Sequence, residues 1–149
     1  MRAVVQRVLN ANVKVDGEII GEIKKGLLLF VGVAPEDDEN DVRYIAEKTA
    51  YLRIFEDQSE RMNLNISDVE GSVLVISQFT LFGDCRKGRR PDFTSSCEPV
   101  KANKLYQLLI EKLKELNIPV EHGTFGADMK VELLNDGPVT ILLDSKKLF

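Results

Sequence analysis

The stretch "GLLLFVGV", residues 26–33, restricts this chain more than any other. Its apolar residues follow one another without alternation and are bounded by Gly26 and Pro35, the pattern of a strand covered on both faces. Such a strand lies inside a sheet, so the rest of the chain has to supply strands for its edges and layers for its faces. Residues 2–15 carry Val4, Val8, Val13 and Val15 among polar residues, and Asp16–Gly17 turns this segment into a second strand, "EIIGEI". Val42, Ile45, Ala46, Thr49 and Leu52 recur at helical spacing behind an acidic first turn, which predicts a helix within residues 37–53. "YLRIF" reads as a short strand, the sequence up to Glu70 as a polar loop, and residues 72–81 as a strand. Residues 83–99 show no periodicity and read as a long loop. Leu105, Leu108, Leu109, Leu113 and Leu116 mark a second amphipathic helix that stops near Asn117 and Pro119, and residues 120–144 read as two or three strands.

This order predicts an α+β fold: a single domain over residues 1–149 with a mixed, barrel-like sheet and two main amphipathic helices. A chain of 149 residues with 44% hydrophobic and 30% charged residues has enough apolar surface for one core and lacks the composition of a disordered segment. The longest apolar stretch, residues 26–34, is far too short to span a bilayer. "MRAVVQRV" has no apolar core or cleavage site of a signal peptide, so a cytoplasmic location is expected, with no membrane partner. Cys85 and Cys97 form no CxxC pair and His122 is the only histidine, which argues against a metal site; a reducing compartment argues against a disulfide. No glycine-rich phosphate loop follows a strand, and no cofactor is expected. Twenty basic against 24 acidic residues leave a net charge of −4, so any contact with nucleic acid has to be local.

Three segments carry potential chemistry. "SQFTL" places Ser77, Gln78 and Thr80 around Phe79 at the end of an apolar strand, either as pocket groups or as the wet face of an amphipathic strand. A nucleophilic Thr80 requires a base within hydrogen-bond reach, and the sequence has no Ser/His/Asp order to supply one. "CRKGRRPDF" concentrates Arg86, Lys87, Arg89 and Arg90 around Gly88, suited to phosphate oxygens or simply solvated. "LLNDGPVTILL" interrupts a strand-like pattern with Asn135, Asp136, Gly137 and Pro138, which local rules read as a trans turn between two strands.

Taken jointly, "MRAVVQRV", "DGEIIGEIKKGLLLFVGV", "LRIFED", "SQFTLFGDCRKGRRPDF", "FGADM" and "NDGPVT" closely resemble the D-aminoacyl-tRNA deacylase family, over residues 1–144. The resemblance implies a homodimer with active sites at the subunit interface, each combining the SQFTL strand of one subunit with a Gly-cisPro turn of the other. It assigns Ser77, Gln78, Phe79 and Thr80 to one wall of the pocket and Gly137 and Pro138 to the intruding turn, with Arg7 as tether of that turn. Phe79 and the backbone near Met129 are expected to help hold the terminal adenosine of an aminoacyl-tRNA, with Phe125 also among the substrate-binding residues, and Arg86, Lys87, Arg89 and Arg90 to contact its acceptor stem. The implied reaction is hydrolysis of the ester of D-aminoacyl-tRNA, with glycine mischarged on tRNA as a second substrate. L-aminoacyl esters are excluded by the backbone of the turn; the attack is made either by Thr80 as nucleophile or by water with help from the terminal 2′-OH of the tRNA, and the second is favoured because nothing in the sequence supplies Thr80 with a base. The alternative is a non-catalytic module that binds a tRNA end or a nucleotide.

Overall fold

The computed structural model describes residues 1–149. It opens with β1 (Arg2–Val15), turned back at Asp16 and Gly17 into β2 (Glu18–Ile23). Both turn residues have positive φ, 50° and 82°, as a two-residue hairpin with right-twisted strands requires. β3 (Gly26–Gly32) pairs antiparallel with the first half of β1, and after α1 (Glu39–Tyr51) the chain forms a small ribbon from β4 (Phe55–Glu56) and β5 (Met62–Leu64). β6 (Ser72–Ser77) adds to β3 in parallel and ends in one turn of 3₁₀ helix, Phe79–Phe82. A long loop leads to α2 (Pro99–Glu115), then β7 (Val120–His122) extends the sheet beyond β6, and β8 (Lys130–Asp144) pairs along the whole of β1.

As expected, β3 is interior, with β1 on one edge and β6 on the other. Leu27, Leu28 and Leu29 are each 0% exposed, which three consecutive strand residues achieve only when both sheet faces are covered. Leu27, Leu29, Val73 and Val75 face α1 and α2, while Leu28, Leu74 and Ile76 meet Val8, Val13 and Ile23 inside the curl of the sheet. The curl nearly closes a barrel: at Gly21 of β2 a side chain would lie 2.9 Å from the His122 carbonyl oxygen of β7. Both helices begin at side-chain caps. Asp38 and Asp41 form a capping box for α1, and Glu98 accepts from the amides of Val100 and Lys101 ahead of Pro99.

Three expectations need correction. "YLRIF" is not one strand, because α1 continues to Tyr51 and only Phe55–Glu56 pairs, with a β5 partner that lies inside the expected loop. β5 is three residues long and too short to display alternation. The strand read over residues 72–81 ends at Ser77, where the backbone turns and Phe82 folds inward. Residues 120–144 contain two strands, and "NDGPVT" is no hairpin between strands: both flanks pair with the same β1. Between the pairs Gln6↔Thr140 and Val8↔Asn135, β1 has Arg7 alone while β8 has residues 136–139, so four residues bulge outward opposite one.

Candidate active site

A cavity of about 510 Å³ opens where β3 and β6 end, under the loop before α2 and the segment after β7. Ser77, Gln78, Phe79, Phe125 and Met129 all line it, so the structure brings together five residues singled out in the sequence. Its floor is apolar, from Val31, Val33, Ile76 and Ala102, and only a few polar groups converge on it, the usual make-up of a small-molecule site. Tyr106 of α2 closes the floor and donates its hydroxyl to the Val75 carbonyl at 2.9 Å; burial pushes its phenol well above the ordinary range. Cys97, also in the wall, has its thiol raised by burial, and both cysteines are free.

Thr80 is not among the lining residues. Its hydroxyl accepts a hydrogen bond from the Gln78 amide nitrogen, and no histidine, aspartate or glutamate is joined to it. The His122 ring contacts the Gly123 carbonyl oxygen instead, at 2.8 Å. The backbone is more suggestive. Gln78 still donates to Val31 at 2.7 Å, but the amides of Phe79 and Thr80 open the 3₁₀ turn, where N–H groups have no partner within the helix. Phe79 is 57% exposed as a residue, and its ring lies edge-on to Phe93 at 5.1 Å between centroids.

Arg7, Gly137 and Pro138 lie elsewhere. Arg7 pairs with Leu27 near the start of β3, whereas Ser77 pairs with Val31 near its end, four residues or roughly 13 Å along the strand. The Arg7 guanidinium is buried, 4% exposed for the residue. It donates through Nε to the Asp136 carbonyl at 3.2 Å and through Nη1 to the Ile54 carbonyl at 2.7 Å, and it pairs with the Asp136 carboxylate at 3.1 Å. Asn135 closes the base of the bulge by donating to the carbonyls of Arg7 and Val139. Gly137 has φ +120°, and a side chain there would meet Val139 and the Arg7 guanidinium within 3 Å. The Gly137–Pro138 bond is cis, and both residues face solvent on this chain.

The basic segment is an exposed loop tip outside the cavity wall. Arg86 is engaged by Asp84 through Nε at 2.9 Å and Nη2 at 2.6 Å, which holds the Asp84 carboxyl down at about 2. Lys87, Arg89 and Arg90 make no ion pair with the rest of the chain. Sequence reasoning missed Tyr106 and Ala102, which lie within the second helix but outside the leucine stripe that marked it, and Ser96, whose hydroxyl donates to the Phe79 carbonyl at 3.1 Å. The polar loop "FTSSCEP" around Ser96 carried no periodicity that could have singled it out. No helix is long and apolar enough to cross a membrane.

Comparison with known proteins places these features in context. The profile of a family described as D-Tyr-tRNA(Tyr) deacylase matches residues 4–144. Proteins called D-aminoacyl-tRNA deacylase match over the full length of both chains, at 59% identity in Thermosipho melanesiensis and 56% in Syntrophobacter fumaroxidans. Among solved structures, one titled c-Myc DNA Unwinding Element Binding Protein superimposes with a TM-score of 0.92 at 38% identity, covering 97% of this chain and 98% of that one. Another, titled as a probable eukaryotic D-amino acid tRNA deacylase, gives 0.82 at 16% identity over 95% and 97% of the two chains, and supports the fold alone.

Proposed function

The chain belongs to the D-Tyr-tRNA(Tyr) deacylase family, and from that premise we propose how its cavity carries out hydrolysis of D-aminoacyl-tRNA. The protein is a hydrolase acting on the ester between a D-amino acid and the 3′-terminal ribose of tRNA. The observation that carries the rest is the cavity itself, where Ser77, Gln78 and Phe79 face Phe125 and Met129 over an apolar floor. The terminal adenosine lies against Phe125 and Met129, and the aminoacyl ester sits by the 3₁₀ turn. Water adds to the ester carbonyl carbon, and the amides of Phe79 and Thr80 hold the developing oxyanion. The bond to the ribose oxygen then breaks, that oxygen takes one proton of the attacking water, the other passes to solvent, and the D-amino acid leaves as its carboxylate. Removing one oxyanion donor of this kind typically costs about 100- to 1000-fold in rate.

No protein base acts in this scheme. The Thr80 hydroxyl is tied to the Gln78 side chain and has no histidine or carboxylate joined to it, so the terminal 2′-OH of the tRNA assists the water. Chirality is set by the bulge of a second copy: its Gly137 and Pro138 backbone occupies the space an L side chain needs, while D-aminoacyl and glycyl esters fit. Arg7 tethers that bulge through Asp136. The exposed basic tip, with Lys87, Arg89 and Arg90 unpaired and Arg86 shared with Asp84, contacts the acceptor stem. The protein thus works as a single-domain subunit of a homodimer, in the cytoplasm where aminoacyl-tRNA is found.

The test is turnover of D-Tyr-tRNA, Gly-tRNA and L-Tyr-tRNA by the purified protein. Release from the first two with the third spared is expected. Equal rates on both enantiomers would overturn the chiral filter. Salt-sensitive binding of aminoacyl-adenosine analogues with no hydrolysis would turn the reading into a nucleotide-end binding module.

A further inference from the structure

Resting on the reading above, we propose that Ser96 and Phe93, at the base of the loop before α2, are positioning residues that fix the Phe79–Thr80 peptide at the rim of the cavity and with it the direction of the Thr80 amide. The Phe79 carbonyl and the Thr80 N–H belong to one planar trans peptide, so fixing the oxygen fixes the direction of the N–H on the opposite side. Ser96 Oγ donates to that oxygen at 3.1 Å. Phe79, more than half exposed, is not held by burial; Phe93 meets its ring edge-on at 5.1 Å with an interplanar angle of 68°. Phe93 and Ser96 act from one turn, closed by the Ser96 amide on the Phe93 carbonyl at 3.0 Å. The turn is anchored next door, where the Cys97 amide donates to the carbonyl of Val33, the residue that follows β3, at 2.9 Å. Phe79 is thereby gripped at its carbonyl and its ring by a unit fastened at the end of β3.

The same loop separates into two parts. Asp84 and Asp92 exchange both backbone hydrogen bonds, at 2.8 and 2.9 Å, and this bridge shuts off the basic tip between them. Arg86, Lys87, Arg89 and Arg90 lie inside the closed tip; Phe93 and Ser96 lie outside it, Ser96 in the cavity wall and Phe93 against the Phe79 ring. Changes at the tip and at the base should therefore act on different kinetic constants: the tip on substrate capture, the base on the chemical step, whose oxyanion needs a well-directed donor.

The experiment compares S96A, S96T, F93L and R89A with the wild type on D-Tyr-tRNA, alongside thermal unfolding and amide NMR. S96A and F93L are expected to lower kcat about tenfold while KM stays within about twofold, since a donor misdirected by a fraction of an ångström weakens only the transition state. S96T keeps the hydroxyl and should restore most of the rate. R89A should do the reverse, raising KM and reducing its salt dependence. The Tm of S96A should stay within about 2 °C of wild type, because the hydroxyl lies on a half-exposed loop. Wild-type kcat in S96A, failure of S96T to rescue it, or a loss confined to KM overturns the positioning role. If wild type turns over no aminoacyl-tRNA, the functional reading fails by itself. The Thr80 amide resonance still decides the geometry: it shifts and broadens in S96A and not in R89A if Ser96 sets its direction, and is unchanged in both if it does not.

Discussion

At the scale of single residues, two buried polar side chains show opposite bargains. Arg7 is a charge taken out of water and then saturated: Asp136 meets it through both carbonyl and carboxylate, and Ile54 through its carbonyl. Removing the guanidinium leaves those acceptors facing each other without a donor, a change that usually costs about 3–5 kcal/mol for a buried pair. Asp136 is partly exposed, so Arg7→Met is expected to lose less than that range, roughly 2–3 kcal/mol by urea unfolding, and to free the bulge at residues 136–139. Thr49 is the opposite case. It faces the core of α1 at 0% exposure, and its hydroxyl has no hydrogen-bond partner. Thr49→Val keeps the branched shape and removes the orphaned group, so it should stabilise the protein by about 1 kcal/mol, read as a higher urea midpoint at unchanged slope. A lower midpoint would show that the hydroxyl is satisfied in solution.

At the scale of elements, α1 is tied to the end of the chain by charge as well as by packing. Burial by itself would raise the Asp41 carboxyl, but hydrogen bonds from Lys146, Ser145 and the Asp38 amide outweigh it and hold the group at about 2, from an ordinary 3.8. The folded value lies below the unfolded one, so Asp41 stabilises the fold above about pH 4, and this contribution disappears as pH falls toward 2. It amounts to about 2 kcal/mol. Asp41→Asn should therefore lose about that much at pH 7 and show a flatter fall in stability between pH 4 and 2, measured by denaturant titration at each pH. Elements such as α1 and β3 were legible because their signals are local: a helical stripe with an acidic start, and an unbroken apolar run between glycine and proline. The outward bulge of β8 was not, because its cause lies about 130 residues away. "NDGPVT" has every local mark of a turn, and only its pairing on both flanks with β1 around Arg7 makes it an excursion within one strand. The strand reading of "SQFTL" failed for a related reason, since FTLF suits a strand or a 3₁₀ turn equally and Phe82 goes inward only once β3 is beside it. Ser77, Gln78, Phe79, Phe125 and Met129 come from distant motifs into one cavity, a gathering that no spacing rule could foresee.

At the scale of the whole molecule, the cavity and the bulge face away from a shared role in one chain: Ser77 and Arg7 register at opposite ends of β3. Around the bulge, Leu9, Leu134 and Leu142 stand 47%, 51% and 57% exposed on β1 and β8, an apolar surface suited to a second copy. If the bulge of one subunit screens the cavity of the other, chirality and hydrolysis can be placed on different chains and recombined. Pro138→Ala loosens the bulge, because proline no longer fixes φ there, and a dimer of such subunits should hydrolyse L-Tyr-tRNA as well as D-Tyr-tRNA. Met129→Trp fills the cavity wall and should silence the subunit that carries it while leaving its own bulge intact. After exchange with roughly ten equivalents of the Met129→Trp subunit, nearly every Pro138→Ala chain sits in a mixed dimer. Its open cavity then faces an intact bulge, so hydrolysis of L-Tyr-tRNA should collapse while hydrolysis of D-Tyr-tRNA persists. A bulge that served the cavity of its own chain would leave L-Tyr-tRNA hydrolysis unchanged by the mixing, and that result would remove the cross-subunit filter from the mechanism.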